Sequence, residues 1–147
     1  MYYLAYGSNL NIEQMGHRCP TAKIVGTAEI KDYRLMFKGS KTGAYCTIEP
    51  EKGCSVPVGV WDVSKADIAA LDYYEGYPTF YYKKIMVLPC SDGYRHRCFV
   101  YIMHEERVLG LPHKFYVETC LQGYQDFGFN PSVLTEAYKW TKRGCDI

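Results

Sequence analysis

Met1-Tyr2-Tyr3-Leu4-Ala5-Tyr6-Gly7-Ser8-Asn9-Leu10 is the stretch on which the reading of the chain turns. Residues 2–6 are apolar or aromatic and suit a buried strand. Gly7-Ser8-Asn9 breaks that strand sharply, and Asn11-Ile12-Glu13-Gln14-Met15 reads as the opening of a short helix. A strand that breaks at glycine into a helix start points several backbone N–H groups one way. Glycine has no Cβ, so a ligand can approach its backbone closely. Unpaired N–H groups at such a bend favour a carboxylate or a phosphate. Spacing alone leaves a second reading open and favours it: a plain N-terminal strand with a capped turn. Neither a Gly-x-x-x-x-Gly-Lys pattern nor the further glycines of a dinucleotide fingerprint accompany Gly7, which weighs against phosphate.

Outward from that stretch, the 147 residues suit one domain, 1–147, large enough to bury a core without staples. Lys plus Arg (17) nearly balances Asp plus Glu (16), so no overall field draws in nucleic acid or acidic lipid. The excess is in tyrosine, 15 in all. Amphipathic packing in core and rim accounts for most of them, and a few near Glu75 are candidates to line a pocket. The 7 cysteines are odd in number, form no C-x-x-C, and follow no secretory signal. The start is too short and lacks the basic flank for a signal or a membrane span. A reduced, cytoplasmic setting with no membrane partner is therefore expected, the cysteines serving as small buried hydrophobes.

Arg18-Cys19-Pro20 closes the first helix, because proline disfavours helix at the residue before it. Residues 22–38 form a long strand-like run, with bends marked at Gly26 and Lys31-Asp32. A loop over Lys38–Gly43 follows, then strands over 44–48 and 56–63 separated by a turn at Pro50-Glu51-Lys52-Gly53. Ser64 is placed to cap a helix through the N–H of Asp67, with Ile68, Leu71 and Tyr74 at helical spacing and Gly76 and Pro78 as its stop. Strands over 84–88 and 95–103 flank a Ser91-Asp92-Gly93 turn. Helices follow over 112–121 and from Asn130-Pro131, where Asn130 is the expected N-cap and Pro131 the first helical residue. Without a regular βαβ rhythm, this mixture predicts an α+β fold.

Glu75 ends the helix over 64–75 among Tyr73, Tyr74, Gly76, Tyr77 and Pro78, with Phe80, Tyr81 and Tyr82 close behind. A poorly hydrated carboxylate there has a raised pKa and suits general acid/base work near neutral pH. The residues alone also allow an exposed helix-end glutamate, which they favour. Cys90, His96, Cys98 and His104 are conceivable zinc ligands, but residues 96 to 104 alternate along one strand, which a strand face explains without metal. A cysteine nucleophile with His17 or His113 has no local signature.

Tyr6-Gly7-Ser8-Asn9-Leu10, Arg18-Cys19-Pro20, Asp32-Tyr33-Arg34-Leu35, Gly59-Val60-Trp61, Leu71-Asp72 with Glu75-Gly76, and Pro112 with Tyr116 occur in that order over nearly the whole chain. As an ordered set they resemble the gamma-glutamylcyclotransferase-like family, which includes AIG2-like proteins. The resemblance implies a small mixed β-barrel flanked by helices. It implies an enzyme that needs no metal or cofactor, with a small-molecule gamma-glutamyl substrate and 5-oxoproline as product. Glu75 matches the family's catalytic acid/base. The glutamyl-binding segment maps onto Tyr3, Leu4, Ala5, Tyr6, Gly7 and Ser8, with Tyr116 contacting substrate through its hydroxyl. Asn9 is expected to brace the bend and cap the helix. Residues 77–82 and the loop at 104–112 are expected to shape the leaving-group end. Two alternatives stay open: a binding or regulatory module without turnover, and removal of a gamma-glutamyl protecting group from a biosynthetic intermediate. The assembly is left as monomer or homodimer.

Overall fold

The computed structural model describes residues 1–40 and 43–146. Its sheet is built around β1 (Tyr2–Ala5), which runs antiparallel to β3 (Gly43–Asp62) and parallel to β5 (Arg95–Met103). With β4 (Tyr81–Pro89), β2 (Lys23–Ser40) and β6 (Val108–Leu109), the order is β4-β5-β1-β3-β2-β6. This mixed sheet curls into a half-barrel and carries four helices, in keeping with the α+β expectation. They are α1 (Ile12–Arg18), α2 (Lys65–Glu75), α3 (Lys114–Phe127) and α4 (Ser132–Cys145). Leu4, Phe37, Ile48, Val60, Leu71 and Phe99 belong to one buried apolar cluster inside the curl.

β2 and β3 pair along nearly their whole length, with register shifts at Ile24/Gly26 and Lys31/Tyr33, where the sequence marks bends. The two separate strands expected over 44–48 and 56–63 are one strand. The turn signal at Pro50–Gly53 produces an excursion, not a reversal, because both flanks pair with β2. Asp32 adopts φ 61 opposite that excursion, and its Oδ1 accepts the Gly53 N–H at 3.0 Å. A short polar side chain that bonds locally tolerates such a backbone. The loop expected over Lys38–Gly43 is also narrower: β2 continues to Ser40 and β3 resumes at Gly43, and residues 41 and 42 lie outside the described residues.

α2 starts as the sequence predicts. Ser64 Oγ accepts the Asp67 N–H at 3.1 Å and Asp67 Oδ2 accepts the Ser64 N–H at 3.0 Å, a reciprocal cap. Gly76 ends it in the left-handed region at φ 64. α3 runs from Lys114 to Phe127, past the expected stop near Leu121. Gly123 is tolerated within it because α3 lies directly on the N-terminal bend: a Cβ there would sit 2.6 Å from the Asn11 nitrogen and the Leu10 carbonyl carbon. α4 starts at Ser132 with Pro131 as its N-cap residue, one position later than expected on both counts, although Asn130 Oδ1 still accepts the Ser132 N–H at 3.0 Å. Thr141 Oγ1 accepts the Phe37 N–H at 3.2 Å and ties α4 to β2.

Candidate active site

A cavity of about 460 Å³ lies between the N-terminal bend and the end of α2. β1 feeds the bend from the centre of the sheet, so Tyr3, Leu4 and Tyr6 reach the cavity from a buried strand, followed by Gly7, Ser8 and Asn9. Ala5 is buried opposite Gly59 and does not line it. Among the described residues, the N–H groups of Gly7 and Ser8 have no hydrogen-bond acceptor, while the next turn is closed by Leu10 N–H to Gly7 O at 3.1 Å.

Asn9 holds the bend from several sides. Its Nδ2 donates to the Tyr3 hydroxyl at 2.9 Å, its Oδ1 accepts from Arg18, and its carbonyl accepts from Trp61 Nε1 at 3.2 Å. The brace is as expected, but the cap is not Asn9: Asn11 Oδ1 accepts the Gln14 N–H at 3.0 Å. The 3₁₀ turn over Ser8–Leu10 moves the capping position from Asn9 to Asn11, which local spacing does not reveal. The Tyr6 hydroxyl donates to the Tyr101 carbonyl at 2.7 Å and locks β1 to β5.

Tyr116, from α3, reaches the same cavity. Its hydroxyl accepts the Cys46 N–H at 3.1 Å and lies 3.2 Å from where a Gly7 Cβ would be. Glycine at position 7 therefore keeps the bend, β3 and α3 in contact. Tyr81 donates its hydroxyl to the Cys46 carbonyl at 2.8 Å, so both backbone polar groups of that β3 residue are engaged by cavity tyrosines.

Glu75 is the last residue of α2 and lines the cavity opposite the bend. Among the described residues its carboxylate has no hydrogen-bond or ion-pair partner. Burial raises its pKa from 4.5 to about 7, with the Arg18 charge pulling the other way. Its position at the carbonyl end of a helix also disfavours the ionised form. The neighbouring Tyr74 hydroxyl meets Ser8 Oγ at 3.1 Å, joining the two walls, and the Arg18 guanidinium lies 3.4 Å from the Tyr74 ring centroid.

Of the segment 77–82, Phe80 and Tyr81 line the cavity. Tyr77 instead packs near Lys83 and Tyr101, and Tyr82 bonds Glu105 at 2.5 Å. Among the described residues none of 104–112 lines the cavity; Arg107 stacks 4.3 Å over Phe80 and the His104 N–H donates to the Phe80 carbonyl at 3.2 Å. Tyr45, Cys46 and Tyr101 complete the lining and were not singled out by sequence; they arrive through long-range strand pairing that no local motif encodes. His96 is occupied by Asp92 at 2.6 Å and His104 by the Pro78 carbonyl at 2.7 Å, away from any shared centre with Cys90 or Cys98. Among the described residues no group of three or more His, Cys, Asp or Glu is arranged to hold a metal, and no helix is long and apolar enough to cross a membrane.

A curled mixed sheet whose central strand ends in a bend with unpaired amides, across from a carboxylate, frames a cavity of small-molecule size. The chain belongs to the family described as gamma-glutamyl cyclotransferase, AIG2-like, whose model matches residues 3–119. It is similar to the gamma-glutamylcyclotransferase of Bos taurus, 36% identical over 92 residues, 58% of this chain and 49% of the relative. It is also similar to that of Homo sapiens, 34% identical over 109 residues, 69% and 58%. The chain spans about half the length of the curated relatives it matches. A solved gamma-glutamyl cyclotransferase superposes with TM-score 0.78 at 26% identity, covering 97% of this chain and 86% of the other. YkqA from Bacillus subtilis shares the fold, with TM-score 0.79 at 17% identity over 97% of this chain and 54% of its own.

Proposed function

We propose that the protein is an intramolecular cyclotransferase that releases 5-oxoproline from a gamma-glutamyl amine or amino acid, with Glu75 as general acid/base. The observation that carries this reading is the unpartnered Glu75 carboxyl, raised to about 7 by burial, facing the bend across one cavity. A group with that pKa both accepts and returns a proton near neutrality.

Glu75 takes a proton from the α-ammonium of the glutamyl group. The freed amine attacks its own γ-carbonyl carbon, a C–N bond forms, and the carbonyl oxygen becomes an oxyanion. Glu75 then delivers its proton to the amide nitrogen as the old C–N bond breaks. The surplus proton on the ring nitrogen passes to the departing amine, leaving 5-oxoproline. The nucleophile belongs to the substrate, so the protein's main contribution is to hold it folded for attack, worth several kcal/mol on the scale of effective molarity. The Gly7 and Ser8 amides are suited to the glutamyl α-carboxylate or the oxyanion. Tyr116, whose hydroxyl proton is not used by Cys46, is suited to donate to the substrate.

The test is incubation with a panel of gamma-glutamyl amines and amino acids, reading 5-oxoproline. Release by the wild type, and release at least about a hundredfold slower by folded Glu75→Gln, is the expected result. A ligand bound tightly and recovered unchanged from the wild type would assign a binding module instead.

A further inference from the structure

Arg18 is the last residue of α1, partly buried, and makes no ion pair among the described residues. Its guanidinium is nonetheless fixed. One face lies 3.4 Å from the Tyr74 ring centroid, and its nitrogens donate to Asn9 Oδ1 and, at 3.5 Å, to Gln14 Oε1. Tyr74 in turn meets Ser8 at 3.1 Å. Arg18, Asn9, Ser8 and Tyr74 thus close a ring of contacts that ties the residue before Glu75 to the bend. A planar guanidinium can stack and fork at once, which an ammonium cannot.

We propose that Arg18 is the positioning residue of this site: it clamps the end of α2 to the bend and supplies the countercharge to ionised Glu75 without pairing with it. This rests on the reading of Glu75 as the acid/base. A direct ion pair would hold Glu75 ionised and weaken it as a base; a charge held back by Asn9 and Tyr74 moderates the carboxylate without quenching it. The other groups facing Glu75 do not carry charge. They are the phenols of Tyr3 from β1, Tyr6 just beyond it, Tyr81 from β4, Tyr101 from β5 and Tyr116 from α3; Cys46 from β3 lines the same cavity. Burial pushes all of these phenols up, so they stay neutral. On α2 itself, Asp72 is taken by Lys83 at 2.9 Å and by the Tyr101 hydroxyl at 2.6 Å.

The test compares wild type, Arg18→Gln and Arg18→Lys by kcat and KM against pH, and by difference infrared titration of the Glu75 carboxyl with Glu75→Gln as the blank. Arg18→Gln is expected to lose about tenfold in kcat at neutral pH. Its acidic limb and its infrared titration should both move to higher pH. Arg18→Lys keeps the charge and therefore the limb, yet loses kcat because the clamp is gone. Glu75 titrating at the wild-type pH in Arg18→Gln would overturn the proposal, as would equal loss in both variants with an unmoved limb. Should Arg18→Gln not fold, Arg18→Lys decides: reduced kcat with the limb kept supports the clamp, and wild-type kcat overturns it. Absence of 5-oxoproline release by the wild type would remove the cyclotransferase reading, while the infrared titration still decides what Arg18 does to Glu75.

Discussion

The two walls of the cavity are built on opposite terms. The bend is saturated with support: Asn9 alone joins Tyr3, Arg18 and Trp61, and Gly7 is wedged against Cys46 and Tyr116. The facing wall presents a carboxyl with no hydrogen-bond or ion-pair partner among the described residues, with Tyr73 beside it 91% exposed. Backbone amides that hold a ligand gain from rigidity. A group that must take and return a proton is disabled by partners that fix its charge. Hydrogen-bond supply on one wall and its denial on the other thus serve opposite needs within one cavity.

The sharpest way to break this contrast is at its deprived side. Glu75→Gln should reduce 5-oxoproline release by about a hundredfold to ten-thousandfold. The same variant should be more stable than wild type at high pH. Glu75 is raised from 4.5 to about 7 in the fold, so its favourable contribution is full below about 4.5 and is lost as pH rises through about 7. Melting at pH 8 should favour Glu75→Gln by on the order of 2 kcal/mol, allowing for partial exposure, and the gap should close by pH 5. Equal melting temperatures at both pH values would show Glu75 to be well solvated. Its activity should also rise with pH through about 7, the limb on which the carboxyl ionises.

On the supported side, Asn9→Ala leaves the buried Tyr3 hydroxyl unpartnered and frees Arg18, at a cost of about 2–3 kcal/mol by denaturant titration and with a raised KM. Gly7→Ala forces a Cβ to 3.1 Å from Cys46 Cβ and 3.2 Å from the Tyr116 hydroxyl. It should destabilise by about 1–2 kcal/mol and raise KM more than it lowers kcat. Ser64→Ala removes one half of the α2 cap, far from the cavity. It should lower stability by about 1 kcal/mol and leave kcat unchanged, which separates general loosening of α2 from loss of the site.

The parts of this arrangement visible in sequence are those written in neighbouring residues. The α2 cap at Ser64 and Asp67, the stop at Gly76, the bends at Gly26 and Asp32, and the break at Gly7 are each local devices with local signatures. Misread features have a shared cause in distant partners. Pro50–Gly53 looks like a turn until β2 is known to pair on both sides of it. The helix expected over 112–121 runs on to Phe127, with Gly123 packed against the Leu10–Asn11 backbone. Arg18 closes a helix in sequence, and only the fold sets its guanidinium on Tyr74 and Asn9. Likewise Tyr45, Cys46 and Tyr101 join the lining through a sheet register that local spacing does not contain.

β1 sits between β3 and β5, with Tyr3 opposite Trp61 on one side and Phe99 on the other. During synthesis this strand emerges before both of its neighbours, and the second is nearly a hundred residues downstream. Pairings so distant in sequence carry a heavy chain-closure penalty and slow folding. The bend that follows this strand would accordingly gain its shape among the final events of folding. Pulse-labelling during refolding should find the amides of residues 3–6 protected later than those of the β2–β3 ribbon.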